Sequence, residues 1–152
     1  DVDQEYYETK IKPLFADPRV EFIGEIGEKD KQDFLGRAAA LLFPVDWPEP
    51  FGLVMIEAMA CGTPVIAFRC GSVPEVMKDG VSGFVVDSVD EAVAMTPTAM
   101  KLPRQQIRSY FESRFLAERM ARDYVTLYET LGQSTLSDRW DPDELEAGAA
   151  VA

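Results

Sequence analysis

The apolar positions change their spacing along the chain, and each change predicts an element. Asp3 to Phe15 reads as a helix that ends near Asp17-Pro18. Val20 to Ile23 is a short β-rich run closed by Gly24. Lys29 to Ala40 is helical again, and Leu41 to Phe43 is an apolar strand ended by Pro44. Asp46 to Pro50, stiffened by Pro48 and Pro50, is a loop. Gly52 to Ala60 is helical until Cys61-Gly62-Thr63 stops it, and Pro64 to Phe68 is a buried type of strand. Val73 to Lys78 predicts a short helix, Asp79-Gly80 a turn, Gly83 to Val86 a strand and Val89 to Met95 a helix. Pro103 to Glu112 and Phe115 to Leu131 read as two closing helices, with Pro103 suited to a first turn.

Strands alternating with helices predict an α/β fold: a parallel sheet with flanking helices and right-handed crossovers. The strands are apolar runs without strict alternation, as expected when both faces of a sheet are covered. At 152 residues and 47% hydrophobic, the chain suits one domain with a real core. That domain is expected over 1–131, followed by an acidic solvated tail over 132–152.

Charge and rare residues narrow the chemistry. The net charge of −12 argues against a nucleic-acid partner, which calls for a basic face. Glu57 and Arg69 interrupt the longest apolar run, so no transmembrane segment is expected. The N-terminal DVDQEYYETK carries no secretory signal pattern. Cys61 and Cys70 are the two cysteines, too few for a disulfide framework, and they read as reduced thiols of a cytoplasmic protein. Peripheral contact with the inner face of a membrane, through a further domain, is part of that expectation. With no histidine there is no Ser-His-Asp or Cys-His nucleophile, so carboxylates, lysine or tyrosine must do any acid–base work.

The stretch WPEPFGLVMIEAMACGTPVIAF carries the candidate site. Ligands of open parallel sheets bind beyond the carboxyl ends of the strands, where the Asp46–Pro50 loop leaves Leu41–Phe43. The helix starting at Phe51-Gly52-Leu53 offers unpartnered amides and a dipole suited to phosphate, and Gly52 has no side chain to obstruct it. Glu49 can face the pocket mouth from the loop. Glu57 lies in an apolar helix, where a vicinal diol such as a ribose would satisfy it without a counter-ion. The structural alternatives are a Glu57 that accepts backbone N–H groups and a Glu49 that is merely solvated. A second loop, Cys70 to Glu75, follows Pro64–Phe68. Ser72 and Glu75 have the spacing of a capping box, while the functional reading puts the Gly71 backbone beside the ligand. Arg69 is the one basic residue expected near these loops, and it reads as a surface arginine.

The segments PEPFGLVMIEAMACGTPVIA, GSVPEVMKDGVSGFVV and FLAERMARDYVTLYETL, in this order, resemble retaining glycosyltransferases of family 4. That family has the GT-B fold, two Rossmann-like domains facing a cleft, and the match runs from about Val20 to Leu131. Glu49 and Glu57 match its E-x7-E motif. The resemblance implies a nucleotide-diphosphate sugar donor of UDP or GDP type, bound by the C-terminal domain. It gives Glu49 the donor sugar hydroxyls, as the catalytic residue, and the backbone at Phe51, Gly52 and Leu53 the sugar and diphosphate. It gives Glu57 the ribose, and Gly24, Glu25 and Ile26 the nucleobase. No cofactor and no catalytic metal are implied. No D-x-D occurs within the matched region from Val20 to Leu131; Asp141-Pro142-Asp143 has that form in the tail.

Three departures follow. The family's Gly-Arg…Lys segment, whose basic pair neutralises the leaving diphosphate, is not found here, and neither is an N-terminal acceptor domain. The chain therefore reads as the C-terminal half of a GT-B fold lacking its first strands, inactive alone. In the strand order 3-2-1-4-5-6, RVEFIG would be the third strand and the later ones the fourth to sixth, leaving a gap. Exposed edges then predict rearranged packing, a dimer or strand-swapped assembly, or a partly disordered N-terminal region. A sugar-nucleotide epimerase of GT-B fold and a non-catalytic nucleotide-sugar or protein-binding module are the alternative functions.

Overall fold

The computed structural model describes residues 2–137. Of the tail expected over 132–152, residues 132–137 instead continue the last helix, and 138–152, with Asp141-Pro142-Asp143, lie outside the described residues. Three parallel strands form the sheet: β1 (Leu41–Phe43), β2 (Val65–Phe68) and β3 (Gly83–Val86), in the order β1-β2-β3. The register sets Leu41 against Val65 and Val65 against Gly83. The helices are α1 (Val2–Tyr6), α2 (Glu28–Arg37), α3 (Leu53–Ala60), α4 (Val73–Val76), α5 (Val89–Ala99), α6 (Arg104–Phe115) and α7 (Ala117–Ser137). The Rossmann-like α/β expectation holds.

Successive strand residues point to opposite faces, and this divides the core in two. Val65 and Ala67 join Met55, Ala58, Met59 and Ile107, the side of α3 and α6. Ile66 joins Val86 and Ala99, the side of α5. Among the described residues β1 pairs only with β2, so its outer edge is open.

Val20–Ile23 is not a strand. A strand exists only against a neighbour, and none of the described strands pairs with this segment. Val20, Phe22 and Ile23 stay exposed, and Phe22 stacks on Phe15 with ring centroids 5.1 Å apart. The helix expected over Asp3–Phe15 forms in three pieces: α1, a π-helical turn over Tyr7–Ile11 and a 3-10 turn over Lys12–Ala16. Pro13 has no N–H to donate, so the α-helical ladder cannot run through it.

The Ser72–Glu75 capping box does not form either. Ser72 is itself in a helical conformation, φ −75° and ψ −11°, which turns its hydroxyl away from the α4 amides. Its Oγ is buried with no hydrogen-bond partner. A side-chain N-cap forms instead at α5, where Ser88 Oγ accepts from the Glu91 N–H, and Glu91 Oε2 accepts from the N–H of Asp87, one residue before the cap. α5 runs beyond the expected Met95 to Ala99, and Pro97 forgoes only its own ladder bond.

Candidate functional site

β1 delivers the chain through Pro44 into the loop that holds Glu49. Glu49 Oε1 accepts the Gly52 N–H at 3.1 Å and Oε2 accepts the Trp47 indole N–H at 3.3 Å. The carboxylate is a structured part of the α3 entrance, not a freely solvated group. Gly52, buried, takes φ +72°, and a Cβ there would meet Met55 Cε at 2.5 Å. The left-handed turn suits glycine. Beyond it, the amides of Leu53 and Val54 donate to no acceptor among the described residues. The start of α3 thus keeps the electropositive end expected from the sequence.

The Cys70–Ser72 turn closes onto the same loop. The Ser72 N–H donates to the Glu49 carbonyl at 3.0 Å. Gly71 lies at φ +53°, and a Cβ would come within 2.5 Å of the Glu49 backbone N and O. Glu49, Phe51, Gly71 and Ser72 line one cavity of about 410 Å³ with Arg114 and Phe115. Gly71 therefore packs against the Glu49 main chain.

Arg114 corrects an expectation, because Arg69 is not the sole basic residue near these loops. The Arg114 guanidinium donates to Tyr110 Oη at 2.6 Å and to the Glu75 carbonyl at 3.0 Å, and it stacks over Phe115. α6 brings it there from far along the sequence, so local spacing gave no signal of it. Arg69 is the surface arginine expected, paired with Asp87 at 3.0 Å.

Glu57 lines a different cavity, of about 900 Å³, between α2, the end of α3 and α6. It has a counter-ion, contrary to the sequence reading: Lys31 Nζ lies 3.0 Å from Oε1. Lys31 also donates to Glu28 Oε1 at 2.7 Å. Glu28 first, and Glu57 next, hold the Lys31 ammonium above the usual lysine value. Lys31 therefore stays charged across neutral and mildly alkaline pH. A sequence signal for it existed: Lys31 lies one helical turn before buried Leu35, on the inward face of α2.

Gly24, Glu25 and Ile26 lie in the irregular segment before α2 and line neither cavity. Leu53 borders an apolar hollow with Phe51, Ile56, Phe115 and Tyr124. The arrangement offers one carboxylate in the loop before α3 and one midway along α3, each lining a separate hollow, with free amides at the helix start.

Residues 2–108 match the model of the family described as glycosyl transferases group 1. Over 130 residues the chain is 31% identical to N-acetyl-alpha-D-glucosaminyl L-malate synthase of Bacillus anthracis, covering 78% of this chain and 32% of that protein. Over 85 residues it is 41% identical to D-inositol 3-phosphate glycosyltransferase of Mycolicibacterium smegmatis, covering 49% of this chain and 20% of that protein. The fold is similar to sucrose-phosphate synthase from Thermosynechococcus elongatus, with a TM-score of 0.68 and 27% identity over 88% of this chain and 35% of that one. It is also similar to HepE of Anabaena in complex with UDP-glucose, with a TM-score of 0.59 and 25% identity over 90% of this chain and 36% of that one. The chain spans about a third or less of the length of these relatives. Fold and motif agree with the matched span, which covers well over half of the chain: this protein belongs to the glycosyl transferases group 1 family.

Proposed function

We propose that this chain is the donor-binding part of a retaining glycosyltransferase of family 4. It would bind a nucleotide-diphosphate sugar of UDP or GDP type, with the acceptor held by a domain outside these residues. The observation that carries the reading is the entrance to α3. There Glu49 is fixed at the Gly52 turn while the Leu53 and Val54 amides remain without an acceptor. Free amides at a helix start attract a diphosphate. A carboxylate has lone pairs to spare for sugar hydroxyls even with two donors already on it. The UDP-glucose bound by HepE supports the same ligand class.

In this reading Glu49 orients the donor sugar, Phe51, Gly52 and Leu53 meet the sugar and diphosphate through backbone groups, and Gly71 braces Glu49. Glu57 accepts hydrogen bonds from the ribose hydroxyls, while a base contact for Gly24 to Ile26, which line neither cavity, rests on the family resemblance alone. In the intact enzyme the acceptor oxygen bonds to the anomeric carbon on the face from which the diphosphate departs. The bond to the phosphate oxygen breaks, and that oxygen takes the acceptor proton. A basic pair outside this chain would neutralise the leaving group, so the chain alone is expected to be inactive.

Titration with UDP, GDP and ADP, followed by NMR chemical-shift mapping, tests this. Shifts centred on Gly52 and Glu57 for one nucleotide, needing about tenfold more ligand to saturate in Glu57→Gln, are the expected result. Shifts elsewhere, or unchanged by Glu57→Gln, would overturn the site assignment.

A further inference from the structure

α2 turns a narrow face toward α3, formed by buried Leu35 and, one turn earlier, Lys31. An amphipathic helix calls for an apolar residue at such a position. The chain places a lysine there, and its ammonium bridges Glu28 at 2.7 Å and Glu57 at 3.0 Å. Most other ion pairs are local, such as Arg37–Asp33 and Arg108–Glu112. Arg69–Asp87 joins distant residues, but both side chains are more than half exposed. Lys31–Glu57 alone among the described pairs ties one helix to another, with side chains 28% and 34% exposed.

A half-buried pair adds little stability, and an apolar residue of similar size would serve packing as well or better. Orientation is what the pair supplies. Lys31 occupies Oε1 of Glu57, and Oε2 has no protein partner among the described residues. Glu57 lines the larger cavity, whose size suits a nucleotide. Without Lys31, the carboxylates of Glu28 and Glu57 would repel one another and Glu57 would lose its fixed rotamer.

We infer that Lys31 is a positioning residue, holding the Glu57 carboxylate ready to accept the two hydroxyls of a ribose. The inference rests on the donor-site reading above and deepens it. Lys31 acts through Glu57 and need not touch the ligand.

Calorimetry on the full chain with UDP and GDP, and with their 2′,3′-dideoxy forms, tests it. The wild type is expected to favour the ribose form of its nucleotide by about tenfold, since hydrogen bonds to a charged group carry the difference. Glu57→Gln and Lys31→Met should each remove most of that preference, while affinity for the dideoxy form stays within about twofold of wild type. Lys31→Arg should restore the preference, and Lys31→Met with Glu57→Gln together should lose no more than either alone. Loss of the preference in Glu57→Gln but not in Lys31→Met would overturn the Lys31 inference and leave the donor site standing. Equal weakening of both ligand forms by Lys31→Met would mean a structural role and also overturn it. A wild type that binds neither nucleotide, or shows no ribose preference, would overturn the Glu57 reading and this inference with it.

Discussion

At Gly71 a single hydrogen atom separates a working loop from a collision. The residue combines φ +53° with a Cβ position 2.5 Å from the Glu49 backbone, whereas Gly80 has φ +70° and nothing within 4 Å. Gly80→Ala should therefore cost about 1–2 kcal/mol, the strain of a left-handed alanine. Gly71→Ala carries the same strain plus the clash, and should lose at least about 1 kcal/mol more. Urea denaturation of both variants measures the difference. Equal losses would mean that the 48–52 loop yields freely and does not hold Glu49. The glycine was visible in the sequence, but the partner it touches comes from over twenty residues away and was not.

Between elements, a polar staple does what local pattern cannot. Thr63, fully buried, donates from Oγ1 to the Leu35 carbonyl at 2.6 Å and accepts from Arg104 Nη2 at 2.7 Å. Arg104 also donates to the Gly36 and Ala38 carbonyls. The start of α6, the turn before β2 and the end of α2 are thereby joined. Thr63→Val, which keeps the shape, removes one of the two donors to the Leu35 carbonyl and the Oγ1 acceptor of Arg104 Nη2, and should destabilise by about 1–3 kcal/mol. Ile107→Ala, one turn into α6 and fully buried, should cost about 2–5 kcal/mol. Thermal unfolding followed by circular dichroism checks both. A Thr63→Val protein as stable as wild type would mean that Arg104 alone carries the junction. The helices themselves were legible because apolar residues recur along them. The start of α5 after Ser88 fell where expected, while the first helix broke up toward Pro13 and α5 ran on through Pro97.

Over the whole molecule, the apolar surface is not fully enclosed. The outer edge of β1 is unpaired, and Leu42, 59% exposed, lies in an apolar groove with Pro44, Val89 and Val93. α7 exposes Met120, Tyr124, Leu127 and Tyr128 along its length. Open edges and apolar stripes favour association. Sedimentation velocity of the isolated chain should show concentration-dependent association, weakened by Leu42→Lys on the groove. A monomer at every concentration would argue against the dimer or swapped assembly expected from the gap in the sheet. No described helix is long and apolar enough to cross a bilayer.

The α/β class, the three strands and the E-x7-E stretch were determined by sequence alone, because they rest on local periodicity, turn residues and contiguous motifs. Tertiary structure decided the rest. It denied Val20–Ile23 a ladder, since a strand needs a partner that no local pattern supplies. It set Arg114 beside Glu49 and Lys31 against Glu57, since a helix chooses its neighbours through packing. It also turned the two glutamates of one motif toward different cavities, because eight positions along a loop and helix leave their directions to the fold.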